Sequence, residues 1–406
     1  MYVEYFIYFL CSDEVEKEFE SRLSKLTTVD FMGTVQHFLG IKFQWVQSPS
    51  SLTVHLSQPA FTDHILQEHG LNLDSATSSR TPYRSGLPVD SIPSIDMPND
   101  AKNTLSVKFQ SLVGSLQWLS SCTRPDIAVI TSILAKYQSN PSPGHYDSGK
   151  YVLRYLLGTN TLGISFHSNI DPILSTFINF PLPPKPKLSG VADSNWGSQD
   201  QSLTNIPSQS AIDLFKSRSI SGHVISFHGP LHWTAKRQSV TARSSAEAEI
   251  YATDECCKDI IYLSQIIQDL HLQDDLTKDT IHIYNDNMAC VQWTHNKTTR
   301  NIRHIQLREN DVREAIQQGL VDVTHVAGKD NMADIFTKED RDVAHYIRMR
   351  NILISLPPTS QHLRAVSTKM YTPHFNHITP PQSARNSLSV ITRSKGGISS
   401  SRSTPT

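Results

Sequence analysis

The stretch Leu188-Ser-Gly-Val-Ala-Asp193 alternates apolar and polar residues and ends on an aspartate. Such alternation is typical of a β-strand, and Asn195-Trp196-Gly197 provides the residues that end it. A second run, Thr280-Ile-His-Ile-Tyr-Asn-Asp286, has the same pattern and also ends on an aspartate. We therefore predict two strands that each deliver a carboxylate at the end of the strand.

A third strand-like run, Leu320-Val-Asp-Val-Thr-His-Val326, is followed by a short helical pattern, Asn331-Met-Ala-Asp-Ile-Phe-Thr-Lys338. The helical pattern contains Asp334. Neither the strand ends nor this short helix require an acidic residue for folding. The three aspartates are therefore candidate functional residues.

The longest predicted helix lies between the first two strands and opens at Ser244-Ser-Ala-Glu-Ala-Glu-Ile-Tyr-Ala252. At about 100° per residue, Glu249 shares the apolar side of this helix with the residues Ala252, Cys256, Ile260, Leu263 and Ile267. Glu247 has the spacing of a capping box with Ser244 and lies on the opposite side with Asp254 and Lys258. An ionised carboxylate on a buried face needs a cation or hydrogen bonds. The alternative is that Glu249 lies in the first turn and reaches water.

The four acids have the chemistry of a divalent-metal site. Magnesium prefers hard oxygen ligands and keeps several waters, and two such ions about 4 Å apart can stabilise both reacting oxygens in phosphoryl transfer. The carboxylates of Asp193, Glu249, Asp286 and Asp334 are a suitable ligand set for such a pair of ions. On this interpretation Glu249, rather than Glu247, belongs to the site.

Five segments, in this order, resemble the ribonuclease H domain of copia-type retrotransposon Pol polyproteins. They are Gly190-Val-Ala-Asp-Ser-Asn-Trp196, Ser219-Ile-Ser-Gly-His-Val224, Ala242-Arg-Ser-Ser-Ala-Glu-Ala-Glu-Ile-Tyr-Ala252, Tyr284-Asn-Asp-Asn287 and Met332-Ala-Asp-Ile-Phe-Thr-Lys338. The resemblance implies an α/β, ribonuclease H-like fold, a mixed five-stranded sheet flanked by helices with the acids clustered at one end. It also implies that the family's four metal-binding acids correspond to Asp193, Glu249, Asp286 and Asp334.

The same resemblance implies a magnesium-dependent endonuclease that hydrolyses the RNA strand of an RNA–DNA hybrid, with two Mg²⁺ ions and Mn²⁺ as a substitute. Recognition of RNA would depend on the 2′-hydroxyl and on minor-groove shape. The chain departs from the family at Asn195, where the family has a second, non-ligand acid, and in the segment from Gly197 to Arg218, which is longer and polar. Many ribonucleases H use a mobile histidine before the last aspartate for product release; here Lys329 stands at about that place, with His325 nearby.

Composition limits the other possibilities. The chain has 406 residues, enough for two or three domains, and a formal net charge of −1, so overall charge does not indicate nucleic-acid binding. Its five cysteines form no Cys-x-x-Cys pair and no spaced Cys/His set, which favours a reducing compartment and argues against a structural zinc. No apolar run is long enough for a membrane span, and the N-terminus does not resemble a signal peptide. We expect an intracellular protein, cytoplasmic or nuclear, without a small-molecule cofactor.

Residues 1–85 resemble the later palm segments of the copia-type reverse transcriptase, through His37-Phe-Leu-Gly-Ile41, Leu56-Ser-Gln58 and Thr81-Pro82. Where that family has Tyr-Val-Asp-Asp, with two metal-binding aspartates, this chain has Tyr2-Val-Glu-Tyr5. We interpret residues 1–85 as a truncated palm remnant of α+β type and expect that it does not polymerise.

Residues 86–170 are predicted to be a helical connection segment. The core candidates are Leu112, Leu116, Leu119, Ile127, Ile130 and Leu134, and the family resemblance lies in Leu112-Val-Gly-Ser-Leu-Gln-Trp118, Thr123-Arg-Pro-Asp-Ile127 and Arg154-Tyr-Leu-Leu-Gly-Thr159. Four basic residues are weak candidates for contact with a nucleic-acid backbone, namely Lys136, Lys150, Arg154 and Arg243. The alternative for these side chains is simple solvation on a helix surface.

Three further boundaries follow from composition. Residues 171–187, which include Pro181-Leu-Pro-Pro-Lys-Pro186, are predicted to be a linker, and residues 188–340 the nuclease domain. Residues 341–406 hold nine Lys or Arg and a single acid, Asp342, with many Ser, Thr and Pro, which predicts a basic, disordered tail. Two alternatives to an active nuclease remain, a non-catalytic hybrid-binding remnant and a decayed transposon product without function.

Overall fold

The computed structural model describes residues 6–9, 13–26, 28–48, 51–71, 76–83, 98–169, 173, 187–196, 218–270, 279–295, 306–338, 342–358 and 368–374. Several predictions fall outside these residues: Tyr2 to Tyr5, most of the 171–187 linker, and the long segment from Gly197 to residue 217. The chain forms two units, Met1–Phe38 with Leu363–Thr406, and Leu39–His362.

The first unit contains strands β1 (Phe6–Phe9), β2 (Thr28–Thr34) and β3 (His37–Phe38), helix α1 (Asp13–Leu26) and strand β12 (Thr368–His374). Strand β12 pairs antiparallel with β1 on one side and with β2 on the other. Tyr8 of β1 donates its hydroxyl to Glu16 and Glu20 of α1, at 3.2 and 3.0 Å, so the helix packs on the sheet. The predicted disordered tail is therefore wrong at residues 368–374, which form a strand.

The second unit begins with β4 (Ile41–Gln47) and β5 (Leu52–Ser57), an antiparallel hairpin that β6 (Ile164–His167) extends on the side of β5. Between β5 and β6 lie helices α2 (Pro59–Glu68), α3 (Asn99–Cys122), α4 (Ala128–Ala135) and α5 (Pro143–Leu157), with a 3-10 turn at Pro125–Ile127. All six predicted core residues of this segment, Leu112, Leu116, Leu119, Ile127, Ile130 and Leu134, are buried. Helical periodicity therefore identified the core-facing side of α3 and α4.

A mixed five-stranded sheet forms the later part of this unit. Its strands are β7 (Ser189–Asn195), β8 (Ile220–Ser226), β9 (Pro230–Arg237), β10 (Ile281–Asn285) and β11 (Val321–His325), in the order β11-β10-β7-β8-β9. β7, β8 and β9 pair antiparallel, whereas β10 is parallel to β7 and β11 is parallel to β10. The helices are α6 (Ser245–Asp269), α7 (Met288–His295) and α8 (Gln306–Gln317). The predicted α/β fold, a mixed five-stranded sheet with helices, is confirmed.

The sheet is covered on both faces because its side chains alternate. Ala192 and Ile225 pack in one cluster with Cys256 and Ile260 of α6, while Val191 and Val224, each one residue earlier, pack in another with Met332 and Phe336. Met332 and Phe336 bound the 3-10 helix that contains Asp334. This alternation places α6 on one face and the 3-10 helix on the other.

Helix α9 (Val343–Leu353) lies where a disordered tail was predicted. Asp342 caps it by accepting from the backbone N–H groups of Ala344 and His345, at 2.9 and 3.3 Å. Tyr346, Met349 and Leu353 are buried in the core of the second unit. The structure therefore has a buried helix where the sequence predicted a disordered tail, and the predicted end of the nuclease domain at residue 340 stays a prediction.

Among the described residues, no helix is both long enough and apolar enough to cross a lipid bilayer.

Candidate metal centre

Three of the four predicted acids meet at one edge of the five-stranded sheet. Asp193 lies near the end of β7, Asp286 directly follows β10, and Asp334 lies in the 3-10 helix Met332–Phe336. Because β7 and β10 are parallel and Tyr284 is opposite Val191, the acid two residues further along each strand emerges at the same level. Carboxylate oxygens of Asp193, Asp286 and Asp334 all lie within 4.8 Å of one another.

Asp193 is 1% exposed and is held from two sides. The Thr337 hydroxyl donates to Oδ2, and the side-chain amide of Asn331 donates to Oδ1 at 3.4 Å. Burial raises the pKa of Asp193 well above its usual value, Glu249 raises it further, and Lys338 opposes the rise. The pKa of Asp286 is also raised, by burial first and in addition by Asp334. Burial and the neighbouring acids therefore both disfavour the charged forms of these carboxyl groups.

Glu249 stands beside this group of three acids. It is 5% exposed, and its oxygens accept from the backbone N–H of Ser194 at 3.2 Å and from the side-chain amide of Asn285 at 2.9 Å. Burial raises the pKa of Glu249 to about 7, although the hydrogen bond from Asn285 lowers it. The buried orientation is the one that the helical pattern predicted, and the alternative of a glutamate in water does not apply.

Glu247 caps the helix but is not on a solvent face. Ser244 accepts from the N–H of Glu247 at 3.1 Å, as the capping spacing predicts. The Glu247 carboxylate accepts from the N–H of Arg243 at 2.7 Å and from the Tyr251 hydroxyl at 3.2 Å, and it is 5% exposed. The return bond thus reaches the residue before Ser244, and Glu247 has a structural role that is separate from the three aspartates.

Two cationic or ionisable groups that were not predicted also lie at the acids. The Lys338 ammonium pairs with Asp334 and lies 3.5 Å from Oδ1 of Asp193. Burial alone would lower the pKa of Lys338, but Asp193 and Asp334 outweigh burial and raise it. Nε2 of His345, on α9, lies 3.3 Å from Oδ2 of Asp334. Lys338 follows Asp334 by four residues, and this helical spacing in the sequence could have indicated that the two side chains pair. No local spacing in the sequence indicated that His345 contacts Asp334.

The two residues proposed for product release lie in different surroundings. Nε2 of His325 is 3.1 Å from the backbone carbonyl oxygen of Asp286, and its side chain is exposed. Lys329 is exposed in the 3-10 turn Gly328–Asp330, and its carbonyl accepts from Arg348 at 3.0 Å. His325 is thus adjacent to an acid of the group through the main chain. Both roles stay predictions.

The four basic residues predicted for weak nucleic-acid contact lie on or next to three separate helices and are exposed or half-exposed. Lys136 directly follows α4, and Arg154 lies on α5. Lys150, also on α5, is 3.5 Å from Asp147 and stacks over Tyr146 at 4.7 Å. Arg243 precedes α6. Their contact with nucleic acid stays a prediction.

The three grouped carboxylates fit a divalent cation. Their donor atoms are hard oxygens, and such oxygens are the ligands that magnesium, calcium and manganese prefer. Burial is the main cause of the raised pKa of Asp193 and Asp286, and neighbouring acids raise it further; a bound cation would oppose both effects. The arrangement therefore suits a divalent metal, and Lys338 supplies part of the required positive charge from within the chain.

The chain is similar to copia-type Pol polyproteins over most of its length. It is 27% identical over 318 residues to the retrovirus-related Pol polyprotein from transposon TNT 1-94 of Nicotiana tabacum, which covers 78% of this chain and 21% of that protein. It is 27% identical over 340 residues to the corresponding polyprotein from transposon RE2 of Arabidopsis thaliana. That alignment covers 83% of this chain and 20% of the polyprotein. The chain thus spans about a fifth of the length of these curated relatives. No family model matches it.

Among solved structures, the chain is similar to LC11-RNase H1, isolated from compost by a metagenomic approach. The sequence identity is 14% and the TM-score is 0.28, over 39% of this chain and 98% of that one. The same enzyme in complex with an RNA/DNA hybrid gives 13% identity and a TM-score of 0.26. The match covers 39% of this chain and 99% of that one.

Proposed function

We propose that the five-stranded sheet and its helices form a metal-dependent ribonuclease H that cleaves the RNA strand of an RNA–DNA hybrid. The observation that carries the proposal is the group of Asp193, Asp286 and Asp334, three largely buried carboxylates at one sheet edge within 4.8 Å of one another. Similarity to retrotransposon Pol polyproteins over about four-fifths of the chain supports the same function.

In this function Asp193, Asp286 and Asp334 would hold Mg²⁺, with Glu249 completing the set from α6. Bound magnesium supplies an activated water and stabilises the charge that develops on the reacting phosphate. Asn285 and the N–H of Ser194 fix the Glu249 carboxylate, so it does not need to reorganise during reaction. Thr337 and Asn331 hold Asp193 in the same way.

We also infer that the N-terminal segment does not polymerise. Glu4 and Tyr5 stand where the copia-type reverse transcriptase has two aspartates. A phenol ring at position 5 does not offer the carboxylate oxygens that a magnesium site requires. Primer extension by the purified chain would contradict this inference.

A non-catalytic hybrid-binding remnant is the second candidate, and Lys338 is the observation that favours it. Its ammonium already pairs with Asp334 and lies close to Asp193, so it neutralises part of the charge that a metal would otherwise balance. In that case the chain would bind hybrid without cleaving it.

The deciding experiment is cleavage of a hybrid with a labelled RNA strand, with Mg²⁺ and with a chelator. We expect cleavage with Mg²⁺ only, and survival of a labelled DNA strand. Asp286→Asn should lower the rate at least about 100-fold, or about 2.7 kcal/mol in transition-state stabilisation. Asp311→Asn is the matched control, because Asp311 is an exposed aspartate on α8. Hybrid binding without cleavage in either Mg²⁺ or Mn²⁺ would favour the second candidate.

A further inference from the structure

A second group of potential ligands lies on the other face of the sheet. His223 of β8, His232 of β9 and Asp259 of α6 place one donor atom each within 4.8 Å of one another. Nε2 of His223 is 3.0 Å from Oδ2 of Asp259, and Nε2 of His232 is 3.3 Å from the same oxygen. Two imidazole nitrogens and one carboxylate oxygen therefore converge.

Strand register explains why the two histidines meet. His223 lies opposite Thr234 and His232 lies opposite Ile225, so the two imidazoles share one face of the hairpin as diagonal neighbours. Ile225, on that face, packs with Cys256 and Ile260 of α6, the helix that carries Asp259. The opposite face, at Gly222, closely approaches Phe336 and Thr337 beside Asp193. The histidine group is thus separate from the three aspartates.

The buried histidine is only partly satisfied by hydrogen bonds. The side chain of His223 is 1% exposed, Nδ1 makes no hydrogen bond within the described residues, and the partner of Nε2 is Oδ2 of Asp259, 3.0 Å away. A buried polar atom without a partner is costly, and a neutral imidazole nitrogen is a metal ligand. Burial also disfavours the charged imidazolium, which could not bind a metal.

We propose that His223, His232 and Asp259 bind a divalent transition-metal ion of the zinc class. Zinc takes nitrogen and oxygen ligands at about 2.0 to 2.1 Å, which puts neighbouring ligands of a tetrahedral site about 3.3 Å apart. The two nitrogen–oxygen distances of 3.0 and 3.3 Å match that separation. Imidazole nitrogen suits zinc, copper, iron and nickel, whereas magnesium and calcium prefer oxygen alone. The two groups on the sheet therefore select different metals.

The site is accessible to an ion from solvent, and an ion bound there would link two elements of the fold. The side chains of His232 and Asp259 are 43% and 45% exposed, so an ion can enter from solvent and keep water in its remaining position. Bound there, the ion would tie the β8–β9 hairpin to α6. The inference does not depend on the proposed nuclease activity.

The test is competition for Zn²⁺ between the full-length chain and a chromophoric chelator, with excess Mg²⁺ to occupy the oxygen-only site. We expect the intact chain to bind one equivalent more than His232→Ala or Asp259→Asn. Affinity at this site should fall at least about 10-fold in each variant, since loss of an outer-shell partner alone costs that much. Co²⁺ bound at the site should give the visible absorption of a tetrahedral ion.

The matched control is His282→Ala. The His282 side chain is also 43% exposed and lies 3.7 Å from Asp322, which His295 approaches at 3.5 Å, but the donor atoms of these three described residues do not all lie within 4.8 Å of one another. We expect this variant to bind Zn²⁺ like the intact chain. Equal binding by His232→Ala and by the intact chain would overturn the proposal and leave a contact between the histidines and Asp259 only. Because His232 is half-exposed, its replacement should not disturb folding, which circular dichroism checks.

Discussion

Asp126 and Asp193 are both buried carboxylates of the same unit, each 1% exposed. The two differ in how far neighbouring positive charge balances the carboxylate. Asp126 accepts from Nε and Nη2 of Arg124 at 2.9 and 2.8 Å, and also from the Tyr155 hydroxyl. Asp193 instead faces other acids, and Lys338 is 3.5 Å away and half-exposed. The first carboxylate is balanced by the chain itself, whereas the second is only partly balanced.

This difference separates a structural acid from a candidate functional one. A bidentate arginine pair compensates much of the cost of burying the Asp126 charge. A group of like charges keeps its repulsion until a cation binds, and that repulsion is the condition under which a metal is held. Burial alone does not distinguish the two cases, whereas the charge of the neighbouring side chains does.

Removing Asp126 should give the largest loss of stability. Asp126→Asn leaves the Arg124 guanidinium, 2% exposed, without its anionic partner, and breaking a buried pair from one side costs about 3 to 5 kcal/mol. Urea unfolding followed by tryptophan fluorescence measures the loss, with exposed Asp311→Asn as the control. A loss below about 1 kcal/mol would mean that the pair is not structural.

The acid group should make metal-free stability fall as pH rises. The folded-state pKa of Glu249 is about 7, above its usual value of about 4.3, so between these two pH values the folded state binds more protons than the unfolded state. Stability is therefore highest below about pH 4.3 for this group and decreases by up to about 1.4 kcal/mol per pH unit as pH rises to about 7.

Urea unfolding at several pH values in that range, with a chelator present to remove metal, measures how the free energy of unfolding changes with pH. Glu249→Gln should flatten this pH dependence, because the amide does not titrate, and Mg²⁺ should flatten it in the intact chain. If stability instead rises steadily with pH between about 4.3 and 7, the acids are balanced and the contrast with Asp126 fails.

Replacing Glu247 should have the smallest effect. Glu247→Gln weakens the bonds from Arg243 N–H and the Tyr251 hydroxyl, which costs about 1 kcal/mol, and it should leave hybrid cleavage almost unchanged. Glu314→Gln, at an exposed site on α8, is the control with no expected cost. Loss of cleavage in Glu247→Gln, with cleavage kept in Glu249→Gln, would show that the two glutamates have been assigned the wrong roles.

Sequence patterns predicted much of the second unit for identifiable reasons. Alternation located β7 and β10 with their terminal aspartates, and a 3.6-residue period placed Glu249 on the buried side of α6. Both patterns are local. Lys338 and Asn285 act on the acids through tertiary contacts, and only Lys338 had a local signal, its spacing from Asp334.

The C-terminal error has a physical cause too. Composition rich in Ser, Thr and Pro predicted disorder from residue 341, but Tyr346 packs edge-on against Tyr155 and donates to the carbonyl of Asp126, at 3.0 Å. A few buried residues hold this helix against the core, and the average composition of the whole tail does not reveal them. The His223–His232–Asp259 group was missed because it has no spacing signature along the chain.

The most direct test of the contrast is the free energy of unfolding of the intact chain and of Asp193→Asn, each in a chelator and in Mg²⁺. We expect Asp193→Asn to be at least as stable as the intact chain without metal, because the substitution removes one repelling charge. We also expect Mg²⁺ to stabilise the intact chain but not the variant. A variant that is several kcal/mol less stable, with no effect of Mg²⁺ on the intact chain, would contradict the account and make Asp193 a structural acid like Asp126.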